Sequence, residues 1–242
     1  MKCVPASVLL GLLALSATTY ATPANKAPKK PVATGKVLGT VIFVGEAPDR
    51  KPLVRDTDPY CAKTPKLAED VVVTKGKLKD VVVRVVDPPP HAKLPSRPVH
   101  LDQHECMYTP RVVVVPPNPQ FMVHNSDGTF HNVHGSIQGH LLWNRPQAGG
   151  DPDLSLGATA KVGDVIDIVC NVHPWMHAYA MVVDHPFAAV TGTDGKFEIG
   201  GLPPGAYTLE AWHPSLGKRT LKIRIGRGAK GTVPARISYK TE

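Results

Sequence analysis

Short runs of Val and Ile alternate with polar positions along most of the chain, and Gly, Pro or Asn/Asp interrupts them every few residues. The runs read "KVLGTVIFVG", "EDVVVTKG", "DVVVRVVDPPP", "RVVVVPPN", "QFMVHNSDG", "DVIDIVC", "AYAMVVD", "KFEIGGLPPG", "YTLEAWHP" and "TLKIRIG". A period of two with β-branched enrichment predicts strands, and no stretch carries a helical period. With 25 Pro and 21 Gly in 242 residues, the predicted class is all-β, built from antiparallel sandwiches. An apolar fraction of 42% is enough for a proper core.

The segment "TGTDGKFEIGGLPPGAYTLEAWH" opens a unit after His185-Pro186. Asp194-Gly195 supplies the positive φ of a tight turn and Pro203-Pro204-Gly205 a second turn, which together predict a three-stranded meander. This stretch resembles the closing half of carboxypeptidase regulatory-like modules, which are small transthyretin-like sandwiches. "GKVLGTVIFVGEAP" and "LKDVVVRVVD" resemble the first two strands of such a module. Two arrangements follow: a sandwich in which 37–90 pairs with 187–242 around an inserted domain, or two tandem domains.

Ahead of the strands, "MKCVPASVLLGLLALSATTYA" has one Lys, an apolar run over 8–15 and small residues up to Ala21, which is the pattern of a secretory leader. The run is too short to cross about 30 Å of hydrocarbon, and no other segment is apolar enough for a transmembrane span. Cleavage after Ala21 gives a periplasmic or secreted protein, in a compartment where disulfides persist. Residues 22–36 are rich in Pro and Lys and read as a linker. The formal charge is +8, one unit of it from Lys2 in the leader. Such a charge favours an acidic partner, and no aromatic-rich motif accompanies it to suggest nucleic acid.

One segment breaks the strand pattern. In "VCNVHPWMHAYAMVVD", residues 169–184, Cys170, His173 and Met176 follow at three-residue steps before the alternation resumes. Each alone is more often a buried thiol, a satisfied histidine or a core-filling thioether. Together they offer the soft ligand set of copper, which needs one more imidazole for a cysteine and two-histidine plane with an axial methionine. "NSDGTFHNVHG" supplies His131, with His134 as its rival, on a different strand. Zinc would accept the histidines and the cysteine, but methionine is an unusual zinc ligand.

"NSDGTFHNVHG" followed by "CNVHPWM" resembles the cupredoxins, the blue-copper sandwiches, and the two-residue gap between the loop histidine and methionine is similar to amicyanin. Over about 97–214 the chain also resembles the methylamine-utilisation-type cupredoxin-like proteins, which carry a regulatory-like segment behind the copper loop. The resemblance implies a Greek-key cupredoxin sandwich over 91–186 and a regulatory-like segment over 187–242, with 37–90 contributing N-terminal strands. It implies one mononuclear type 1 copper, held by His131, Cys170, His173 and Met176. His131 would be the buried anchor, Cys170 the electron conduit, Met176 the tuning ligand and His173 an exposed exit. Asn132 would tie the first ligand strand to the cysteine loop, and Pro174 and Trp175 would sit where a redox partner docks.

The mature chain has three cysteines, so at most one internal disulfide forms, and in an exported protein the default joins Cys61 to Cys106. His91, His100, His104, His124, His140, His177, His185 and His213 have no ligand spacing. No Ser/His/Asp order, phosphate loop or paired-carboxylate constellation argues for an enzyme. The expected function is single-electron transfer by Cu(II)/Cu(I) cycling with a redox partner protein. The alternatives are a copper carrier, and a surface β-sandwich for adhesion or carbohydrate binding.

Overall fold

The computed structural model describes residues 34–90, 94, 97–226 and 231–240. The leader expected over 1–21, most of the linker over 22–36 and His91 lie outside the described residues. Among the described residues no helix is long and apolar enough to cross a membrane.

The structure is all-β. In chain order the strands are β1 (Gly35–Phe43), β2 (Val73–Thr74), β3 (Lys77–Leu78), β4 (Val82–Val85), β5 (Val99–His104) and β6 (Met107–Thr109). They continue as β7 (Val112–Val115), β8 (Gln120–Asn125), β9 (His131–Ile137), β10 (His140–Gln147), β11 (Leu154–Gly157) and β12 (Val165–Val169). The last six are β13 (His177–Val182), β14 (Ala188–Val190), β15 (Lys196–Leu202), β16 (Gly205–His213), β17 (Gly217–Ile225) and β18 (Thr232–Tyr239). A single 3-10 turn, Cys61–Lys63, is the only helical element among the described residues.

Two sheets, ordered β10-β9-β12-β13-β7 and β11-β8-β5-β6, enclose one core that contains Phe121, Val133, Ile166, Ile168 and Met176. Alternation explains the packing: in β12, "VIDIV", Ile166 and Ile168 are buried while Asp167 between them is not. The other two sheets are β15-β1-β3-β2, with β18 also on β1, and β14-β4-β16-β17. Their core contains Val41, Val83, Phe197, Leu209 and Ile237, so residues from both ends of the chain bury one another. β1 runs antiparallel to β15 and parallel to β18. A smaller cluster of Val82, Val112, Met181 and Val183 links the two sandwiches.

The Asp194-Gly195 turn forms, with Gly195 at φ 64° and Asp194 Oδ1 accepting the Lys196 N–H at 3.0 Å. The expected meander does not. β15 pairs with β1, whereas β14 and β16 flank β4 in the opposite sheet. Pro203 and Pro204 have no N–H to give a hairpin ladder, and the chain crosses from one sheet to the other there.

Residues 50–68 form an irregular segment whose one sheet-like contact is a bridge between Pro52 and Leu67. Cys61 within it belongs to the core of the β5–β13 sandwich, joined to Cys106 by a disulfide with Cα atoms 5.7 Å apart. Cys170 is the free cysteine among the described residues, and it is buried.

His213, at the end of β16, is fully buried. Its Nδ1 accepts the Ser215 N–H at 3.2 Å, and its Nε2 has no hydrogen-bond partner among the described residues. Burial, helped by the charge of Arg111, pushes its pKa down to about 4. A depressed histidine keeps its contribution to stability above the unfolded value of about 6.5 and loses it as pH falls toward 4. His213→Gln should therefore remove about 2 kcal/mol of the stability loss between pH 7.5 and 5. Urea unfolding at the two pH values checks this, and parallel losses in both proteins would refute it.

Candidate metal centre

His131 opens β9 and is fully buried, as is Val133, and Asn132 between them is buried too. β12 ends at Val169, and residues 170–176 turn back into β13 through two main-chain bonds. The Cys170 N–H donates to Met176 O at 3.2 Å, and the Met176 N–H donates to His173 O at 2.9 Å. The turn brings Cys170 and His173 beside His131, with the donor atoms of all three within 4.8 Å of one another. Met176 is fully buried in the same core. His134 lies three positions along β9, half-buried, and its Nδ1 contacts Asn171 Oδ1 at 3.0 Å.

Asn132 spans the two ligand-bearing segments. Its Oδ1 accepts the Asn171 N–H at 2.7 Å and lies 3.4 Å from Cys170 Sγ, while its Nδ2 donates to Asn144 and Asn171 Oδ1, both at 2.7 Å. Tyr108, which the sequence did not single out, donates its hydroxyl to Asn132 O at 2.7 Å.

Two carboxylates that sequence reasoning missed set the imidazoles. His131 Nε2 meets Asp127 Oδ2 at 2.9 Å, and His173 Nε2 meets Asp58 Oδ2 at 3.0 Å. An ionised carboxylate only accepts, so each ring carries a proton on Nε2 and presents Nδ1 inward. The two Nδ1 atoms are 2.8 Å apart, and Cys170 Sγ is 3.8 Å from that of His173. Two imidazole lone pairs at this separation hold together only around a cation. A shared proton would satisfy the nitrogens alone, whereas a metal ion would also engage the sulfur. Two imidazoles and a cysteine sulfur, all buried, with Met176 in the same core, fit copper.

Electrostatics agree with that donor set. Burial would raise the Cys170 thiol, but hydrogen bonding by His131 and His173 and by the surrounding backbone holds it at about 5. Burial likewise opposes ionisation of Asp58, yet bonds from Thr129, from the Tyr60 and Cys61 N–H groups and from His173 bring it down to about 2. Against its burial, Asp127 is lowered chiefly by His131. Burial opposes the charged form of His131, but Asp127 and the Cys170 sulfur together raise it.

The exposed exit expected at His173 is not found: the residue is 1% exposed. The 50–68 segment covers it, with Asp58 on Nε2 and Cys61 Sγ 3.6 Å from that atom. Pro174 is exposed and Trp175 half-buried. The Trp175 indole lies 5.1 Å from the His173 ring, donates to Cys106 O at 2.9 Å and has the Arg55 guanidinium 5.7 Å from its centroid. Asp58 sits in "DTDPYC", where an Asp accepting N–H groups two and three residues on is a legible turn signal. Its tie to a histidine 115 positions away is not legible.

No protein-family model and no curated protein matches the chain. Solved structures similar to it include cupredoxins and a copper-containing nitrite reductase. The purple cupredoxin of Nitrosopumilus maritimus is 20% identical over 35% of this chain and 99% of its own, with a TM-score of 0.30. Amicyanin from Paracoccus versutus is 18% identical over 42% of this chain and 97% of its own, at 0.31. The copper-containing nitrite reductase of Thermus scotoductus SA-01 is 17% identical over 60% of this chain and 28% of its own, at 0.32.

Proposed function

We propose that this chain is an exported type 1 copper protein of the amicyanin-like kind that passes single electrons, with His131, Cys170, His173 and Met176 as the metal ligands. The observation that carries the reading is the convergence of two inward Nδ1 atoms and the Cys170 sulfur in one buried pocket. Copper bound there would supply a one-electron couple between Cu(II) and Cu(I). The residues hold donors that serve both states, Asn132 fixes the cysteine turn to β9, and the 50–68 segment excludes water. Export rests on the leader pattern and is consistent with the disulfide. The regulatory-like sandwich, divided around the copper-binding part, would be a structural appendage, and an acidic redox partner would suit the basic chain.

Carriage of copper is the second reading, favoured by the closure of His173 from solvent. The purified metal-free protein, given one equivalent of Cu(II), should show an intense thiolate-to-copper absorption, a mononuclear paramagnetic resonance signal and a reversible one-electron wave. An irreversible wave, with Cu(I) passing readily to a competing chelator, would favour carriage. No intense band together with only loose copper binding would remove both readings.

A further inference from the structure

The disulfide joins the two carboxylates that hold the imidazoles. The Cys61 N–H, with that of Tyr60, donates to Asp58 Oδ1 at 3.3 and 2.7 Å; Asp58 Oδ2 takes Thr129 Oγ1 at 2.8 Å and His173 Nε2 at 3.0 Å. On the other arm the Glu105 and Cys106 N–H groups donate to Asp127 Oδ1 and Oδ2 at 2.7 and 2.8 Å, and Asp127 Oδ2 takes His131 Nε2 at 2.9 Å. Each half-cystine thus seats, through its own backbone, the carboxylate that orients one ring. Asp58 and Cys61 lie on the irregular segment, not on the strands and turn that carry the donor atoms. Arg55 ties the two arms again by donating to Thr64 O and Glu105 O, as does the Lys66–Glu105 ion pair.

We propose that the Cys61–Cys106 disulfide, Asp58 and Asp127 form a positioning frame that fixes the Nε2–H tautomer and ring direction of both His131 and His173. This rests on the reading of those histidines as metal ligands. A ring with no partner on Nε2 is free to turn, or to hold its proton on Nδ1, the atom a metal needs. The frame removes both freedoms before metal arrives. The cystine therefore has a role in the metal centre beyond cross-linking the fold, and Asp58 and Asp127 are positioning residues that need not touch the metal.

Asp58→Asn is the informative change. Its single carbonyl oxygen must stay on the Tyr60 and Cys61 N–H groups, which turns the amide donor toward His173 Nε2. The ring is then driven to accept at Nε2 and keep its proton on Nδ1. Imidazole 15N shifts of the metal-free protein should show Nε2–H on both rings in the parent and Nδ1–H on His173 in Asp58→Asn. Cu(II) affinity, measured by chelator competition, should fall 10- to 100-fold. An Nδ1–H tautomer on either ring of the parent overturns the frame, whatever the variant's folding. So does an unmoved His173 tautomer in a variant whose His131 signals match the parent. If the tautomer moves and copper affinity does not, the frame stands and the assignment of His173 as a ligand falls.

Discussion

If the proposed copper centre forms, Cys170→Ala should abolish its intense visible band and leave only weak absorption from nitrogen-bound Cu(II). Cys170 is the one free thiol among the described residues, and it lies against both inward imidazoles. Its thiol ionises at about 5, so at neutral pH the pocket holds a thiolate ready to bind metal. Alanine removes the soft, charged donor and leaves two neutral nitrogens and a thioether. Serine does not restore it, because a hydroxyl stays protonated at neutral pH. The same reasoning gives a pH edge in the parent: as pH falls through about 5, protons compete for the sulfur and metal affinity declines. Absorption titrations of parent, Cys170→Ala and Cys170→Ser read all three points. A band of parental intensity in either variant would show that the chromophore lies elsewhere.

Gly135→Val should strongly destabilise the sandwich that carries the candidate metal centre. Gly135 lies on β9, four residues after His131, and pairs across the sheet with Trp143. A Cβ at position 135 would come within 2.4 Å of the Trp143 ring. That ring cannot simply lift, because it is buried at 8% exposure and stands edge-on to Phe121 with centroids 6.0 Å apart. Valine adds two further methyl groups, so the expected loss is about 3 kcal/mol, the upper end of over-packing penalties. The double variant Gly135→Val/Trp143→Leu should lose less than the two single changes added together, since the smaller side chain makes room. Urea unfolding of the metal-free proteins measures both quantities. A single variant within 0.5 kcal/mol of the parent would mean that β9 and β10 part more easily than their packing shows.

Much of this molecule can be read from local pattern. Ile166 and Ile168 announce a strand with one buried face, and the three-residue steps of Cys170, His173 and Met176 mark a turn and not a strand. Both signals lie within about ten residues, the range over which periodicity and ligand spacing operate. The unread part depends on contacts between distant segments. Asp127 reads as a turn residue in "NSDG" and Asp58 as another in "DTDPYC", and nothing in either string points to an imidazole. The burial of His173 follows from a segment more than a hundred residues earlier that the disulfide fastens over it. The meander failed for a similar reason: two good turn signals fix where the chain bends, but not which sheet the next strand joins.

The pairing of β1 with β15 and β18 has a consequence for the order in which the chain folds. Thr40 must find Lys196 and Arg236, so β1 emerges from synthesis well before either of its long-range neighbours exists. Closing so long a loop is slow, and contacts of high sequence separation set the pace of folding. The sandwich of β5 to β13 has no such wait, since its strands lie between positions 99 and 182. It should acquire hydrogen-exchange protection first, with β1 and β4 protected only once β14 to β18 arrive. Oxidation of Cys61 with Cys106 falls naturally between the two events, because it moors the waiting N-terminal segment to a sandwich that is already formed.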